Sequence, residues 1–160
     1  MKKHDFLLVG VGGQGTLLAS DILASTGVRA GFDVKKSEVH GMAQRGGSVT
    51  SHVRWAERVF GPLIDRGEAD LMLAFEKLEA VRFADWLRPG ATIIVNDHRI
   101  PPVSVSTGHD RYPSDEQWRR ALQGVTPHVY LVPGTAIAEG LGNVRVNNVV
   151  LLGALSRFVE

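Results

Sequence analysis

The sequence predicts an α/β fold in three layers, with helices on both faces of a largely parallel sheet. Short apolar runs bounded by glycine or proline alternate with segments of helical periodicity, an order that places strands side by side and helices across them. No internal repeat or low-complexity linker interrupts the 160 residues, a length that suits one hydrophobic core. We therefore expect a single domain over residues 1–160, and the pattern leaves open a mixed sheet.

The first strand and helix are predicted from two adjoining segments. Residues 6–9 form a continuous apolar run that ends at a glycine, which is typical of a strand covered on both faces. Residues 14–30 have helical periodicity, with Leu18 and Ile22 on one face. Gly31 suits the carboxyl end of that helix, because glycine readily adopts the left-handed conformation found there.

The next two strands differ in their pattern. Residues 33–39 are extended but polar, whereas residues 47–55 alternate apolar and polar side chains. The alternation predicts a half-buried strand. The remaining predicted elements are strands at 70–75, 91–96 and 128–132, and helices at 76–87, 115–123, 133–141 and 147–159.

Two local patterns in the second half carry specific expectations. Ser114 and Gln117 have the spacing of a capping box, which predicts a helix start. The charged residues Glu76, Lys77 and Glu79 open another predicted helix, and we expect them to form its exposed face. Residues 98–112 have no periodicity and are predicted to be irregular.

Composition excludes several functional classes. The formal net charge is +1, so no bulk attraction to nucleic acid is expected, and three scattered tryptophans are no nucleic-acid signature. The chain has no cysteine, which rules out thiolate ligands to zinc or to an iron–sulfur cluster. Residues 144–159 are too short and too polar to span a bilayer. The amino terminus lacks a signal-peptide pattern, so we expect no membrane association and a cytoplasmic location.

A glycine turn follows the first strand. Gly10, Gly12, Gly13, Gln14 and Gly15 lie in a G-x-G-x-x-G pattern between a predicted strand and a predicted helix. Glycine permits positive φ and close approach of another backbone or a ligand, and the start of a helix favours an anion. The pattern fits either a tight structural turn or a Rossmann-like dinucleotide site.

The dinucleotide alternative requires an acidic residue at the end of the second strand. Asp33 and Glu38 are available, but Asp33 begins the predicted second strand rather than ending it. That strand is also poorly apolar for the centre of a sheet. A stand-alone dinucleotide-binding module is therefore the second hypothesis, and not the first.

A second glycine-rich loop occupies residues 38–47. It holds His40, Gln44 and Arg45 beside Gly46 and Gly47. Arg45 can direct several donors toward a carboxylate or a phosphate. An exposed loop without function remains the alternative on composition alone. No metal site is expected, because the histidines lack ligand spacing to an acid or a cysteine.

The two loops together carry a family likeness. Residues 10–15, residues 38–49 and the later segment 147–154 resemble the gamma-type domain of 2-oxoacid:ferredoxin oxidoreductases, a Rossmann-like domain. The likeness covers most of the chain and is greatest to the members that act on indolepyruvate. The second loop is much more specific than the first.

The resemblance implies an accessory subunit that is inactive alone. Enzymes of this family oxidatively decarboxylate a 2-oxoacid with coenzyme A and pass electrons to ferredoxin. The resemblance implies that thiamine diphosphate, magnesium and 4Fe–4S clusters lie on a larger alpha subunit, with indolepyruvate or another aryl pyruvate as substrate. The missing cysteines agree with this division.

The resemblance also suggests site residues. Gln44, Arg45, Gly46 and Gly47 are expected to face the active site of the partner, and Arg45 is the leading candidate for an anion contact. His40 is expected to orient this loop or to reach the substrate carboxylate. The turn at residues 10–15 is expected to approach partner backbone or a CoA phosphate. Relatives usually continue beyond the final helix, so either a short member or a truncated chain is expected.

Overall fold

The computed structural model describes residues 2–40 and 46–159, with the side chain of His40 left out. Strands and helices alternate along most of the chain. The strands are β1 His4–Val11, β2 Asp33–His40, β3 Ser48–Ala56, β4 Ala69–Ala74, β5 Leu87–Asn96 and β6 Val129–Val132. The helices are α1 Thr16–Arg29, α2 Lys77–Arg82, α3 Val103–Ser106, α4 Asp115–Gln123, α5 Gly134–Gly140 and α6 Asn147–Leu155.

The described strands form one six-stranded sheet in the order β2-β3-β1-β4-β5-β6. β1, β4, β5 and β6 are parallel neighbours, whereas β3 runs antiparallel to both β1 and β2. The sheet is therefore mixed but mostly parallel. The α/β prediction is confirmed, and the open question about the sheet is settled by a single reversed strand.

Two hydrophobic clusters cover the two faces of the sheet. On one face Ala19 and Leu23 of α1 and Leu151 of α6 pack on Phe6 and Leu8. On the opposite face the sheet packs against α2 and α4 through a second cluster, whose largest buried side chain is Trp118. Both faces are covered by helices, which gives the three-layer arrangement predicted from the alternation of elements.

The expectation of a half-buried β3 is wrong. Thr50 and His52, on the supposedly polar face, are as buried as Val53 on the other. β3 lies inside the sheet between β1 and β2, and His52 is covered by the Trp86 ring while its Nδ1 accepts a hydrogen bond from Ile64 N–H at 3.2 Å. The alternation of apolar and polar side chains therefore does not indicate which face of β3 is buried, because groups elsewhere in the chain cover polar side chains such as His52.

The helix predicted at 76–87 is much shorter. It ends at Arg82, a 3₁₀ turn follows at Ala84–Trp86, and Leu87 already begins β5. Pro89 lies where the register between β4 and β5 shifts, a position that tolerates proline because the ladder is interrupted there.

Other local predictions are confirmed. The Ser114 hydroxyl accepts from Gln117 N–H, and the Gln117 side chain accepts from Ser114 N–H, so the capping box is complete. Gly31 follows α1 and has φ 87°. Its N–H donates to Val28 O, and the N–H of Phe32 donates to Gly27 O, which is the hydrogen-bond pattern of a Schellman motif.

Two segments in the second half differ from the prediction. The segment 98–112, predicted to be irregular, contains the short helix α3, and the last helix ends at Leu155 rather than at 159.

Candidate functional site

The glycine turn lies at the carboxyl end of β1, where the topology changes direction. After β1 the chain passes through α1 to the edge strand β2, whereas β4 leads through α2 to the other side of the sheet. Crevices that bind ligands in open α/β sheets lie at such switch points. The turn is therefore in the position where a site is expected from the fold.

Close packing explains two glycines of the turn. A Cβ on Gly10 would lie 2.9 Å from Thr16 Cγ2 and 3.0 Å from Phe75 Cβ. Gly15 has φ 81°, and a Cβ there would lie 3.0 Å from Asn148 Nδ2 on α6. Contacts within the same chain therefore favour glycine at both positions.

Gln14 closes the turn from inside. Its Oε1 accepts from Val11 N–H at 2.8 Å, and its Nε2 donates to Phe75 O at 3.0 Å. The side chain thus bridges the carboxyl ends of β1 and β4. It also occupies the N–H group of Val11, the last residue of β1.

The second strand departs from a dinucleotide-binding arrangement. β2 is at the edge of the sheet and is separated from β1 by β3, and Asp33 begins β2 rather than ending it. The Asp33 carboxylate is engaged locally, with Oδ2 accepting from Val59 N–H at 2.8 Å and Oδ1 2.6 Å from Lys35 Nζ. Asp33 is therefore not presented beside the glycine turn.

The two loops singled out in the sequence meet at the same edge. Gly12 N–H donates to Gly47 O at 3.0 Å, and Val11 pairs with Ser48 in the ladder between β1 and β3. Gly46, with φ 81°, precedes this contact. Gln44, Arg45 and the side chain of His40 lie outside the described residues.

Grooves lie on both sides of the turn. One, of about 540 Å³, runs along the first turn of α1 to Val49. The other, of about 570 Å³, lies between Gly13–Gly15 and α6 and includes His98 and Arg145. Gly15 is the N-cap of α1 and supplies no side-chain cap, which leaves backbone N–H groups of the helix start directed toward the edge of the sheet.

Glu76 is a buried residue whose importance the sequence pattern did not reveal. It is fully buried at the carboxyl end of β4. Its Oε2 accepts from Glu79 N–H at 2.9 Å, and its Oε1 accepts from Ile100 N–H at 3.1 Å and from the Tyr112 hydroxyl. Burial and the adjoining carboxylate raise the pKa of Tyr112, which keeps this hydroxyl protonated as a donor.

Lys77 is also buried, contrary to the expectation of an exposed helix face. Its Nζ lies 2.5 Å from Asp97 and 3.6 Å from Asp115, and 5.4 Å from the centre of the Trp118 ring. Hydrogen bonds from the Trp118 indole and from Arg99 lower the pKa of Asp115 to about 2. The network ties α2 to the loop after β5 and to α4.

Glu79 is the third charged residue of this turn that is buried rather than exposed. Only 3% of it is exposed. Arg82 Nη1 lies 3.4 Å from Glu79 Oε1 and donates to Ser48 Oγ at 3.3 Å. Burial, the largest effect, raises the pKa of Glu79, and the negative charge of Glu76 raises it as well, while the nearby Ser48 hydroxyl and the charge of Arg82 lower it. All three charged residues of this turn are therefore buried, and each has at least one polar partner. A pattern of charges at a helix start carries no signal that would distinguish this from exposure.

Two kinds of feature are absent from the described part of the chain. No cluster of three or more His, Cys, Asp or Glu side chains suited to a metal ion occurs in them. Within residues 2–40 and 46–159, every helix is too short or too polar to cross a bilayer.

Comparisons with known proteins connect this architecture to one family. The sequence model of the family described as pyruvate ferredoxin/flavodoxin oxidoreductase matches residues 5–160. The chain is 46% identical over 151 residues to indolepyruvate oxidoreductase subunit IorB of Archaeoglobus fulgidus, covering 94% of this chain and 75% of that protein. The protein of the same name from Pyrococcus horikoshii is 40% identical over 158 residues, covering 98% and 78%.

Solved structures share the fold. A 2-oxoglutarate:ferredoxin oxidoreductase from Magnetococcus marinus, solved with 2-oxoglutarate, coenzyme A and succinyl-CoA bound, superimposes with a TM-score of 0.69 at 23% identity, covering 98% of this chain and 24% of that chain. The gamma subunit of a keto/oxoacid ferredoxin oxidoreductase from Geobacter sulfurreducens gives 0.65 at 21%, covering 95% and 75%. At these identities the likeness establishes the fold alone.

Proposed function

This chain belongs to the pyruvate ferredoxin/flavodoxin oxidoreductase family, and we propose that it is the accessory, beta-type subunit of an indolepyruvate ferredoxin oxidoreductase. The observation that carries the proposal is its likeness, along nearly the whole chain, to proteins named as subunits of indolepyruvate oxidoreductases. In the proposed reaction the 2-oxoacid loses carbon dioxide, its acyl group is transferred to coenzyme A, and the two electrons released reduce two ferredoxins. A different aryl pyruvate is the closest alternative substrate.

The proposed roles of the two subunits follow from the residues that this chain has and from those that it lacks. It has no cysteine for cluster ligands, so in the proposal thiamine diphosphate, magnesium and 4Fe–4S clusters reside on a larger alpha subunit and supply the redox chemistry. This chain contributes a shaped edge made of the two glycine loops. The proposed role is to enclose the active site of the partner, and activity of the chain alone is not expected.

An exposed apolar stretch supports docking to such a partner. Leu18 is 55% exposed, and Leu17 and Ile22 of α1 are also exposed, whereas the buried face of the helix is formed by Ala19 and Leu23. The prediction that Leu18 and Ile22 share a face is compatible with the helix, but this face is turned outward. Apolar side chains exposed together beside a site mark a contact surface.

The glycine loops are the proposed contacts to cofactor or substrate. Coenzyme A is the group whose phosphates could reach this chain. The groove along the start of α1, with its glycines and uncapped helix start, fits an anion at that position. Gly12, Gly13 and Gly15 would allow close approach, and Arg45 would supply charge-assisted hydrogen bonds. His40 would orient the second loop or reach the substrate carboxylate.

Reconstitution tests the proposal. The chain is combined with a thiamine- and cluster-binding alpha subunit of an indolepyruvate enzyme, and ferredoxin reduction is followed with indolepyruvate and coenzyme A. The proposal expects activity with both chains and none with this chain alone. A complex that forms but remains inactive with every aryl pyruvate tested would refute it.

The second hypothesis is that the chain is a stand-alone dinucleotide-binding module. Calorimetry on this chain with NAD, NADP, FAD and coenzyme A distinguishes this hypothesis from the first. Tight binding of NAD or FAD would favour the module. The edge position of β2 and the closure of the turn by Gln14 argue against that outcome.

A further inference from the structure

A buried carboxyl group stands behind the edge where the two glycine loops meet. Glu79 lies on α2, beneath the sheet, yet its carboxyl oxygen Oε1 is 3.4 Å from Arg82 Nη1. The same nitrogen donates to the hydroxyl of Ser48 at 3.3 Å. Ser48 is the first residue of β3 and follows Gly46 and Gly47 directly. Through Arg82, Glu79 thus connects α2 to Ser48, the residue that follows the second loop.

The connection continues from Ser48 to the first loop. Ser48 pairs with Val11 in the ladder between β1 and β3, and the preceding residue, Gly47, accepts the hydrogen bond from Gly12 N–H at 3.0 Å. The path from Glu79 to the glycine turn therefore consists of an ion pair, a hydrogen bond to Ser48, the peptide bond between Gly47 and Ser48, and the hydrogen bond from Gly12. It passes through both loops that carry the family likeness.

The burial of Glu79 does not stabilise the fold, so its presence at this position needs another explanation. Its residue is 3% exposed, and within the described part of the chain its Oε2 has no hydrogen-bond partner. A buried carboxyl group with an unpartnered oxygen is destabilising relative to an apolar side chain of similar volume. A glutamate at this position is accounted for by what it holds in place rather than by its packing.

We propose that Glu79 is a positioning residue for the paired loops, which acts through Arg82 and Ser48 to fix Gly47 and, through Gly47, the amide of Gly12. The inference rests on the proposed function for its catalytic consequence: the loops face the partner's active site, so their placement determines how well coenzyme A or the 2-oxoacid is bound. The geometric part of the inference stands independently of that function.

The geometric part is tested by amide hydrogen exchange, measured by NMR on the 160-residue chain. The variants are Ser48→Ala, which removes the hydroxyl with little change of volume, and Glu79→Gln, which keeps the shape but removes the charge. Exchange of the Gly12 amide is expected to become about ten-fold faster in both. The Phe75 amide, which donates to Val9 O at 2.8 Å, serves as the internal reference and is expected to be unchanged.

A matched control and a functional assay complete the test. Glu116→Gln alters an exposed glutamate on α4, and it should leave Gly12 exchange unchanged. In the reconstituted complex, Ser48→Ala and Glu79→Gln are expected to raise KM for coenzyme A or the 2-oxoacid about ten-fold, with kcat and partner affinity within about two-fold of the parent. A Glu79→Ala variant should be at least as impaired in KM as Glu79→Gln.

The outcomes separate this inference from the proposed function. If Gly12 exchange is unchanged in both Ser48→Ala and Glu79→Gln, Glu79 is not a positioning residue. If exchange accelerates but KM in an active complex does not change, the catalytic part of the inference is overturned. If the parent chain supports no activity with any partner, the proposed function fails, whereas the exchange result still decides the geometric part.

Discussion

The side chain of Gln14 donates a hydrogen bond to the backbone carbonyl of Phe75 at 3.0 Å, and so joins the glycine turn after β1 to the end of β4. The same side chain accepts from Val11 N–H. A residue at a variable position of a G-x-G-x-x-G pattern therefore acts as an internal brace. The turn is therefore held in place by a side chain of its own.

Replacement of Gln14 should destabilise the fold measurably. In Gln14→Glu an oxygen replaces the Nε2 donor and faces the Phe75 carbonyl, so we expect the free energy of unfolding to fall by about 1–3 kcal/mol, the cost of an unsatisfied buried polar group. Urea unfolding measures the change. Gln123→Glu, on an exposed position of α4, should change stability by less than about 0.5 kcal/mol. Equal effects of the two variants would contradict the bracing role.

Gly10 should not tolerate a methyl group. Its Cβ would lie 2.9–3.0 Å from Thr16, Gln14 and Phe75, so Gly10→Ala is expected to cost about 1–3 kcal/mol by overpacking. Gly153→Ala is the matched control, because a Cβ there meets nothing within 4 Å, and in helix α6 it should stabilise by about 0.4–1 kcal/mol. Thermal unfolding of both variants gives the comparison, and a neutral Gly10→Ala would refute the packing argument.

Gly27 permits α1 to lie against β3. A Cβ at this position would be 2.5 Å from the Trp55 indole, a contact that requires the ring or the helix to move. Gly27→Ala is expected to lower stability by about 1–3 kcal/mol and to shift Trp55 fluorescence. Gly140→Ala, where a Cβ meets nothing within 4 Å, controls for the change of helix propensity. An unchanged melting temperature in Gly27→Ala would show that the helix is not seated on Trp55.

His52 should make stability depend on pH. Burial lowers its pKa, and the positive charge of Arg54 lowers it further. Below about pH 6.5 the unfolded chain therefore binds a proton that the folded chain does not, so stability falls as the pH falls, by at most about 1.4 kcal/mol per unit. Urea unfolding between about pH 7.5 and 5.5 measures the slope.

The control for this pH dependence is a pair of variants. His52→Gln should have a shallower slope than the parent, whereas His109→Gln, at an exposed position, should keep the slope. Glu79, whose pKa is raised by burial, contributes with the opposite sign and is common to all three proteins. Identical slopes in the parent and His52→Gln would exclude His52 as the titrating group.

Arg45 is the sequence-based candidate for the anion contact. Arg45→Ala should reduce kcat/KM of the reconstituted complex about 10- to 100-fold, because a hydrogen bond to a charged group contributes about 1.5–3 kcal/mol, while the isolated chain stays folded. Arg157→Ala, at an exposed position near the carboxyl terminus, should retain activity. Full activity of Arg45→Ala, with unchanged KM for both coenzyme A and the 2-oxoacid, would remove Arg45 from the proposed site.

Most of the fold could be predicted from local pattern. Apolar runs such as residues 6–9 and the capping box at Ser114 placed elements within a few residues of their observed bounds. Burial was predicted less well. The pattern predicts exposure for Thr50 and His52 of β3 and for the charged turn Glu76–Glu79, but these residues are buried. Several of their partners, such as Ile64 for His52 and Asp97 for Lys77, lie well beyond the local pattern.

The sequence by itself determined the α/β class, the glycine turn, the second loop and the family, since these depend on short-range patterns and on side-chain identity. The tertiary structure decided that β3 reverses the sheet and separates β2 from β1. It also decided that Gly12 and Gly47 share a hydrogen bond and that Glu79 stands behind them. The pairing of β1 with β3, the Gly12–Gly47 hydrogen bond and the Arg82–Ser48 hydrogen bond join residues more than 30 positions apart. No periodicity of the chain encodes such non-local contacts.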